Sequence, residues 1–339
     1  MAEVHGAADE PIRRQPGLPI IRPTIVRPYG LMAEGLRFET NDPALAAAAD
    51  ASFGRFPAPA DDRDPLVVRL FSEPTAGGSE GPTMGALSHR AAGSIYLISA
   101  GSYDVAVADL DAGTAQGFVS EATARDEPTV RYSFIESMAL SLLARSRGYF
   151  VLHAAGVVRG DRGIALQGPA GAGKSTLAMA CARRGFGVFA EDSIFVRVRP
   201  TGLEWWGMPW VQRLLPDART LFPELAGLPD HVRPNGESKI AVELDRFQPG
   251  RAVPCASPGP IVLLSRGDGG PTRMERVEGL DIADALEVHW PWDGGWTEAH
   301  ERGARALGAH GVFRLHVNGP PDEAVDAIQA LIDASVEGP

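Results

Sequence analysis

The chain has 339 residues, of which 44% are hydrophobic and 22% charged, a composition typical of a soluble globular protein long enough for two domains. Its formal net charge of −11 argues against a duplex nucleic-acid binder, which would carry a basic surface. Two cysteines are too few for a disulfide scaffold, and there is neither a signal-peptide pattern nor an apolar run of the roughly 18 residues that a membrane span needs. We therefore expect a cytoplasmic protein without nucleic-acid or membrane partners.

The first third of the chain shows no recognisable chemistry. Residues 1–34 are rich in proline and lack periodicity, which predicts an extended arm. Residues 35–148 predict a small mixed α+β or mostly β domain of unknown role, with a short helix at 43–51. Its expected strands, separated by turn-rich stretches, are 36–40, 66–71, 94–99, 103–107 and 116–119.

The pattern changes near residue 148. An amphipathic helix is predicted over 132–147, and Gly148 ends it. From residue 149 to 337 strands and helices alternate, which is typical of an α/β domain. Its expected strands are 150–153, 155–158, 163–167, 187–190, 194–198, 240–244, 261–264 and 312–317, and its expected helices are 174–184, 281–289 and 321–334. The stretch 201–234, which holds Trp205, Trp206 and Trp210, reads as loop-rich.

The α/β domain contains a phosphate-binding motif, hereafter the phosphate loop: Gly168-Pro-Ala-Gly171-Ala172-Gly173-Lys174-Ser175-Thr176. It fits G-x-x-x-x-G-K-[ST], and it lies between a predicted strand and a predicted helix, as the motif requires. Backbone amides freed by the glycines form an anion-binding nest, and the helix dipole favours the same phosphates. The Lys174 ammonium can reach the β- and γ-phosphates, and the Ser175 hydroxyl can bind Mg²⁺.

Lysine is scarce in this chain. Lys174 and Lys239 are the two lysines among 32 basic residues, so arginine serves elsewhere as the surface cation. Because an ammonium and a guanidinium are not interchangeable at a phosphate nest, Lys239 is a candidate for a second phosphate or substrate contact. An ordinary surface lysine is the alternative.

An acidic pair, Glu191 and Asp192, follows the strand predicted at 187–190. Carboxyl ends of strands in an open α/β sheet line one crevice, so one acid can bind Mg²⁺ while the other accepts a proton from an attacking hydroxyl. A solvated turn is the alternative. His153 precedes the loop strand among apolar residues and, from spacing alone, is more typical of a core histidine.

These motifs together resemble the HPr kinase/phosphorylase family. The resemblance rests on Val151-Leu-His-Ala-Ala-Gly-Val-Val158, the phosphate loop, Ala182-Arg-Arg-Gly-Phe186 and Ala190-Glu-Asp192, in that order. It implies a fold similar to phosphoenolpyruvate carboxykinase and transfer of phosphate from Mg·ATP to a serine hydroxyl. Relatives include kinases acting on lasso-peptide precursors. The resemblance further implies that His153, Lys174, Ser175 and the acidic pair are site residues, with Asp192 as the base.

The sequence departs from the family in two places. The family's pair is usually Asp-Asp, whereas the first acid here is Glu191. In place of a glycine-rich signature beginning Leu-Glu-Ile-Arg-Gly, the chain offers Leu203-Glu204-Trp-Trp-Gly207, so Glu204 is either a second metal ligand or a surface residue. The tryptophan region, with Met208 and Arg213, is then either a substrate-facing surface or aromatic packing over a loop.

Three functions remain open from the sequence. The first is an ATP- and Mg²⁺-dependent kinase acting on a hydroxyl of a peptide or protein, and the second is a small-molecule kinase with the same apparatus. The third is an NTPase or nucleotide-sensing regulator without an acceptor. A homo-oligomer is compatible with each.

Overall fold

The computed structural model describes residues 22–57, 59, 63–73, 87–199, 202–232, 237–267, 269–278 and 298–336. Residues 25–120 supply a seven-stranded mixed sheet in the order β1-β2-β3-β7-β6-β5-β4. Its strands are β1 (Ile25–Leu31), β2 (Glu34–Thr40), β3 (Leu66–Glu73), β4 (Leu87–Ala92), β5 (Ile95–Ala100), β6 (Asp104–Asp109) and β7 (Thr114–Ser120). All five strands expected in this part are present; β1 and β4 were not predicted.

The arm predicted for residues 1–34 is corrected where the structure describes it, because residues 25–31 form the edge strand β1; residues 1–21 lie outside the described residues. Ile25–Leu31 pairs antiparallel with β2, and Pro28 is tolerated there because an edge strand needs no amide on its outer side. The turn between the strands consists of Met32 and Ala33, both at positive φ, 52° and 69°. Hairpin turns of this kind are normally signalled by glycine or asparagine, so the sequence carried no signal for this one.

The left-handed turn should respond to glycine. Ala33 is exposed, so Ala33→Gly removes the steric cost of its positive φ without creating a cavity. We expect a gain in the free energy of unfolding of about 0.5 kcal/mol, since part of the relief is offset by the greater freedom of glycine in the unfolded chain. Urea unfolding measures it. Ala47→Gly, at an exposed position inside a helix, is the matched control and should destabilise the chain by about 0.5–1 kcal/mol.

Helices cover one face of this sheet. They are α1 (Pro43–Phe53), α2 (Glu121–Arg125), α3 (Glu127–Thr129), a π-helix (Val130–Glu136) and α4 (Ser137–Arg147). The helix predicted over 132–147 is therefore present, but its first five residues belong to the π-helix. It ends as expected, because Gly148 adopts a left-handed conformation at its C-terminus.

A nine-stranded mixed sheet carries the second half of the chain, in the order β16-β12-β11-β8-β9-β17-β19-β18, with β10 paired to β8. Strands β9, β17 and β19 run parallel, so their carboxyl ends lie at one edge. The strands are β8 (Tyr149–Arg159), β9 (Arg162–Gln167), β10 (Gly187–Ala190), β11 (Ser193–Arg199), β12 (Gly202–Trp206), β16 (Cys255–Ala256), β17 (Ile261–Arg266), β18 (Arg273–Arg276) and β19 (Val312–Val317).

A small third sheet lies beside the phosphate-loop helix. It pairs β13 (Val211–Leu214), β15 (Ser238–Glu243) and β14 (Asp230–Val232), in that order. The stretch 201–234 thus contains three strands and corrects the loop-rich interpretation. The helices of this half are α5 (Lys174–Arg183), α6 (Leu244–Phe247), α7 (Glu298–Gly308) and α8 (Pro321–Val336). The helix predicted at 281–289 lies outside the described residues.

The buried core crosses the boundary predicted near residue 148. Tyr149, Val151, Phe195 and Trp210 of the second half belong to the same apolar cluster as the interior of the seven-stranded sheet. The Tyr149 hydroxyl also donates a hydrogen bond of 2.7 Å to the carbonyl of Met32. The two halves therefore share a packed interface. Within the described part of the chain, no helix combines the length and apolarity of a membrane span.

Candidate functional site

The phosphate loop connects β9 to α5 in the strand–loop–helix order that the sequence predicts. Gly171 and Gly173 have φ values of 78° and 100°, and a Cβ built on either would meet nothing within 4 Å. In the part of the chain that the structure describes, no atom occupies the space next to these two positions. Among the described residues, no side chain caps the N-terminus of α5, and the N-terminus of a helix favours an anion. The loop and the helix N-terminus together form a cradle that could hold an anion.

Lys174 brings a cation into the loop. Its ammonium donates a hydrogen bond of 2.6 Å to the carbonyl of Gly168, with the carbonyl of Pro169 at 3.5 Å. The lysine thus folds back over the turn that the glycines make. Ser175 and Thr176 follow in the first turn of α5, both half-buried, while Ala172 is buried against the core. The loop residues named from the sequence lie together as one structural unit.

Strand register brings His153 and the acidic pair to this loop. Ala154 of β8 lies opposite Gln167, the last residue before the loop, and His153 lies opposite Ser193, the residue after the pair. The Ala154 amide donates to the Asp192 carbonyl at 3.0 Å. Directly opposed residues on paired strands are only about 5 Å apart, so these groups meet at one edge of the sheet.

The two acids have different surroundings. Glu191 is 7% exposed, whereas Asp192 is exposed to solvent and accepts a hydrogen bond of 3.0 Å from the Ser193 hydroxyl. Glu191 accepts from the Arg213 guanidinium at 3.1 Å and from the Arg213 backbone amide at 3.3 Å. Burial, followed by the negative charge of Asp192, raises the pKa of Glu191 to about 7, although Arg213 and Lys239 act against the shift. Asp192 is therefore the acid accessible to a substrate.

The structure places Lys239 on the side of the acidic pair. It lies on β15, and its ammonium is 3.5 Å from the Glu237 carboxylate. Its positive charge is close enough to lower the pKa of Glu191 against the effect of burial. The contact predicted between Lys239 and a phosphate is thus compatible with its position. Lys239 would reach the phosphate from the side of the acidic pair and not from the phosphate loop.

Glu204 is not brought to the site. It lies on β12 opposite Arg197, four residues along β11 from Ser193, which corresponds to about 13 Å. Its carboxylate instead pairs with Arg199 at 3.2 Å. Its interpretation as a second metal ligand is corrected: the antiparallel β11–β12 hairpin carries it away from the loop. Among the described residues, no cluster of three or more histidine, cysteine or acidic side chains forms a ready-made metal site.

The tryptophan region is mainly packing. Trp205 is fully buried and lies 5.9 Å from Phe189 between ring centres, and Trp210 packs edge-on against Phe56 at 4.7 Å. Of the two interpretations of this region, the structure favours aromatic packing for these two residues. Arg213, by contrast, faces the acidic pair.

Sequence reasoning missed Arg266. It is the last residue of β17, the strand parallel to β9, so its side chain emerges at the edge that carries the phosphate loop. Its guanidinium donates to the Gly171 carbonyl from Nη2 at 3.2 Å and from Nε at 3.3 Å. Part of the signal was available, because this basic residue stands two positions after the apolar run at 261–264.

Comparisons with known proteins add little to this geometry. No family model matches the chain, and no curated protein matches it. Among solved structures, the HPr(Ser) kinase/phosphatase from Coxiella burnetii is similar over 56% of this chain and 99% of its own, with 14% sequence identity and a TM-score of 0.31. A likeness at that level does not indicate the reaction.

Proposed function

We propose that the chain is a phosphotransferase that moves the γ-phosphoryl group of Mg·ATP to a hydroxyl, with a serine of a peptide or protein as the acceptor. One observation carries the proposal. An open anion cradle and a solvent-exposed carboxylate lie side by side, because β8 pairs on one side with the loop strand and on the other with the strand that follows Asp192.

Each site residue has a separate role in this proposal. Mg·ATP, when bound, supplies the phosphoryl group and a divalent charge. Lys174 and the first amides of α5 hold phosphate oxygens and offset their negative charge. The Ser175 hydroxyl and Glu191, directly or through water, would hold the metal, since a carboxylate that accepts two hydrogen bonds keeps further lone pairs.

Proton transfer falls to Asp192. Its exposed carboxylate is placed to accept the proton of the acceptor hydroxyl as the hydroxyl oxygen attacks phosphorus. His153, opposite Ser193 on the neighbouring strand, would position a phosphate oxygen or tune Asp192, and the strand register supports this role.

Arg266 should contribute to nucleotide affinity. A guanidinium at the loop adds a fixed positive charge and planar donors suited to phosphate oxygens. We expect Arg266→Gln to raise the Kd for Mg·ATP by roughly three- to tenfold, measured by calorimetric titration. Arg276→Gln, on exposed β18, is the matched control. An unchanged Kd in Arg266→Gln would show that Arg266 stabilises the phosphate loop and does not contribute to nucleotide affinity.

The test of the function is a transfer assay with γ-labelled ATP. The purified chain is incubated with Mg²⁺ and a host extract divided into protein, peptide and metabolite fractions, beside Lys174→Ala and the control Arg125→Ala, an exposed arginine. Label in protein or peptide that Lys174→Ala abolishes supports the proposal. Label confined to metabolites would identify a small-molecule kinase, and label found only as free phosphate would identify an NTPase or regulator.

A further inference from the structure

The partly buried arginine Arg213 links the acidic pair to the first half of the chain. It lies on β13 and donates a hydrogen bond to each carboxylate oxygen of Glu191. The guanidinium Nη1 lies 3.1 Å from Oε2, and the backbone amide nitrogen lies 3.3 Å from Oε1. A carboxylate held through two donors of one residue, one of them in the backbone, has little rotational freedom. The position of Glu191 therefore depends on where Arg213 lies.

Arg213 also contacts the π-helix. Its guanidinium carbon is 4.7 Å from the centre of the Tyr132 ring. Burial raises the pKa of Glu136, and the positive charges of Arg131 and Arg213 oppose that shift, so Glu136 is also an electrostatic neighbour of Arg213. The arginine thus contacts both the acidic pair and the π-helix.

The π-helix is itself anchored. Glu136 accepts hydrogen bonds from the Ser52 hydroxyl of α1 at 2.8 Å and from Arg131 Nε at 3.0 Å. Arg131 in turn lies 5.1 Å from the centre of the Tyr132 ring. The position of the Tyr132 ring next to Arg213 is therefore fixed by contacts within residues 25–147.

A lysine could not replace Arg213 here. A planar guanidinium can lie on an aromatic ring and donate to a carboxylate in its own plane at the same time, whereas an ammonium is a compact point charge with no plane to lay on the ring. Burying a charge pair costs free energy that the pair's attraction only partly returns, so such a pair is weak evidence for stability. Its geometry, which joins two parts of the fold at the acidic pair, points to positioning.

We propose that Arg213 is a positioning residue for Glu191 and that Tyr132 positions Arg213, so that the first half of the chain completes the site. This inference rests on the proposed function for its catalytic consequence. The contacts themselves define a role for residues 25–147, to which the sequence assigned none.

The first test separates positioning from binding. We expect Tyr132→Leu and Arg213→Lys to lower kcat for phosphoryl transfer by roughly ten- to a hundredfold, because small displacements at a reacting centre have effects of that order, with the nucleotide KM within about twofold. Tyr132→Phe keeps the ring and should retain at least about half of kcat. The matched controls are Arg159→Lys, whose arginine stacks on Phe186 at 5.1 Å, and Tyr103→Leu at an exposed position.

Two results of this test would overturn the proposal. A rise in KM at unchanged kcat would show that Arg213 contacts the nucleotide rather than positions Glu191. Equal losses in Tyr132→Phe and Tyr132→Leu would show that the ring face is not what matters. If Tyr132→Leu does not fold, Arg213→Lys still allows the change in kcat to be compared with the change in the nucleotide KM.

A second test needs no activity. The melting temperatures of Tyr132→Leu, Glu191→Gln and the double variant form a cycle, and we expect the two shifts to be non-additive because both residues act on Arg213. Additive shifts would overturn the link even in an active kinase. A non-additive cycle in a chain that transfers no phosphate would retain the link and contradict the proposed function alone.

Discussion

Replacing Asp192 by asparagine is expected to slow phosphoryl transfer by at least about a hundredfold, the usual contribution of a positioned general base. Asparagine keeps the size of the side chain but cannot accept the proton of the attacking hydroxyl. The Ser193 hydroxyl that donates to Asp192 at 3.0 Å can donate equally to an amide oxygen, so the local structure should persist. Single-turnover transfer from γ-labelled ATP measures the rate.

Nucleotide affinity should behave differently in Asp192→Asn. The substitution removes one negative charge beside the phosphate loop, so binding of Mg·ATP should be unchanged or modestly tighter, within about threefold. Asp161→Asn, at an exposed turn, is the matched control for loss of an aspartate. Full transfer by Asp192→Asn would remove the base assignment, and a loss of affinity equal to the loss of rate would make Asp192 a metal ligand instead.

The correct predictions about this site came from local sequence signals. The phosphate loop is defined by residue types at fixed spacing, and strand, loop and helix follow in the expected order. The strand before Glu191 and the helix end at Gly148 are likewise encoded within a few residues. Such features depend on backbone preferences that a short window contains.

The parts that could not be predicted depend on contacts between distant residues. The Met32–Ala33 turn takes positive φ values without glycine. The carbonyl of Met32 accepts a hydrogen bond from the hydroxyl of Tyr149, which is 117 residues away in the sequence. Nothing near Arg213 in the sequence indicates that its guanidinium lies on the ring of Tyr132. Glu204 was misplaced for the same reason, since only the register of the β11–β12 hairpin decides which end of the sheet it reaches.

Arg266 is an intermediate case. Its position follows from a rule that was already applied to the acidic pair, namely that carboxyl ends of parallel strands share an edge. Applying that rule to the apolar run at 261–264 requires knowing that β17 is parallel to the loop strand. The sequence predicts a strand there but not its neighbour.

The pH dependence of stability should report on Glu191. Burial raises its pKa from the ordinary 4.5 to about 7 in the folded chain. Between those two values the folded chain holds a proton that the unfolded chain has lost, so the free energy of unfolding falls as pH rises. A shift of that size corresponds to a fall of up to about 3 kcal/mol from this group. Urea unfolding at pH 5, 6, 7 and 8 measures it.

Glu191→Gln should remove that contribution and flatten the profile between pH 5 and 7. The slope is the observable, because an amide also changes the pairing of Arg213 and so alters stability at every pH. Glu39→Gln, which removes a carboxylate of similar exposure (8%) from β2, is the control for the substitution itself. Parallel profiles for the wild type and Glu191→Gln would mean that Glu191 is already ionised across this range. Arg213 would then offset the burial of Glu191 fully, and Glu191 would carry its negative charge before any metal arrives.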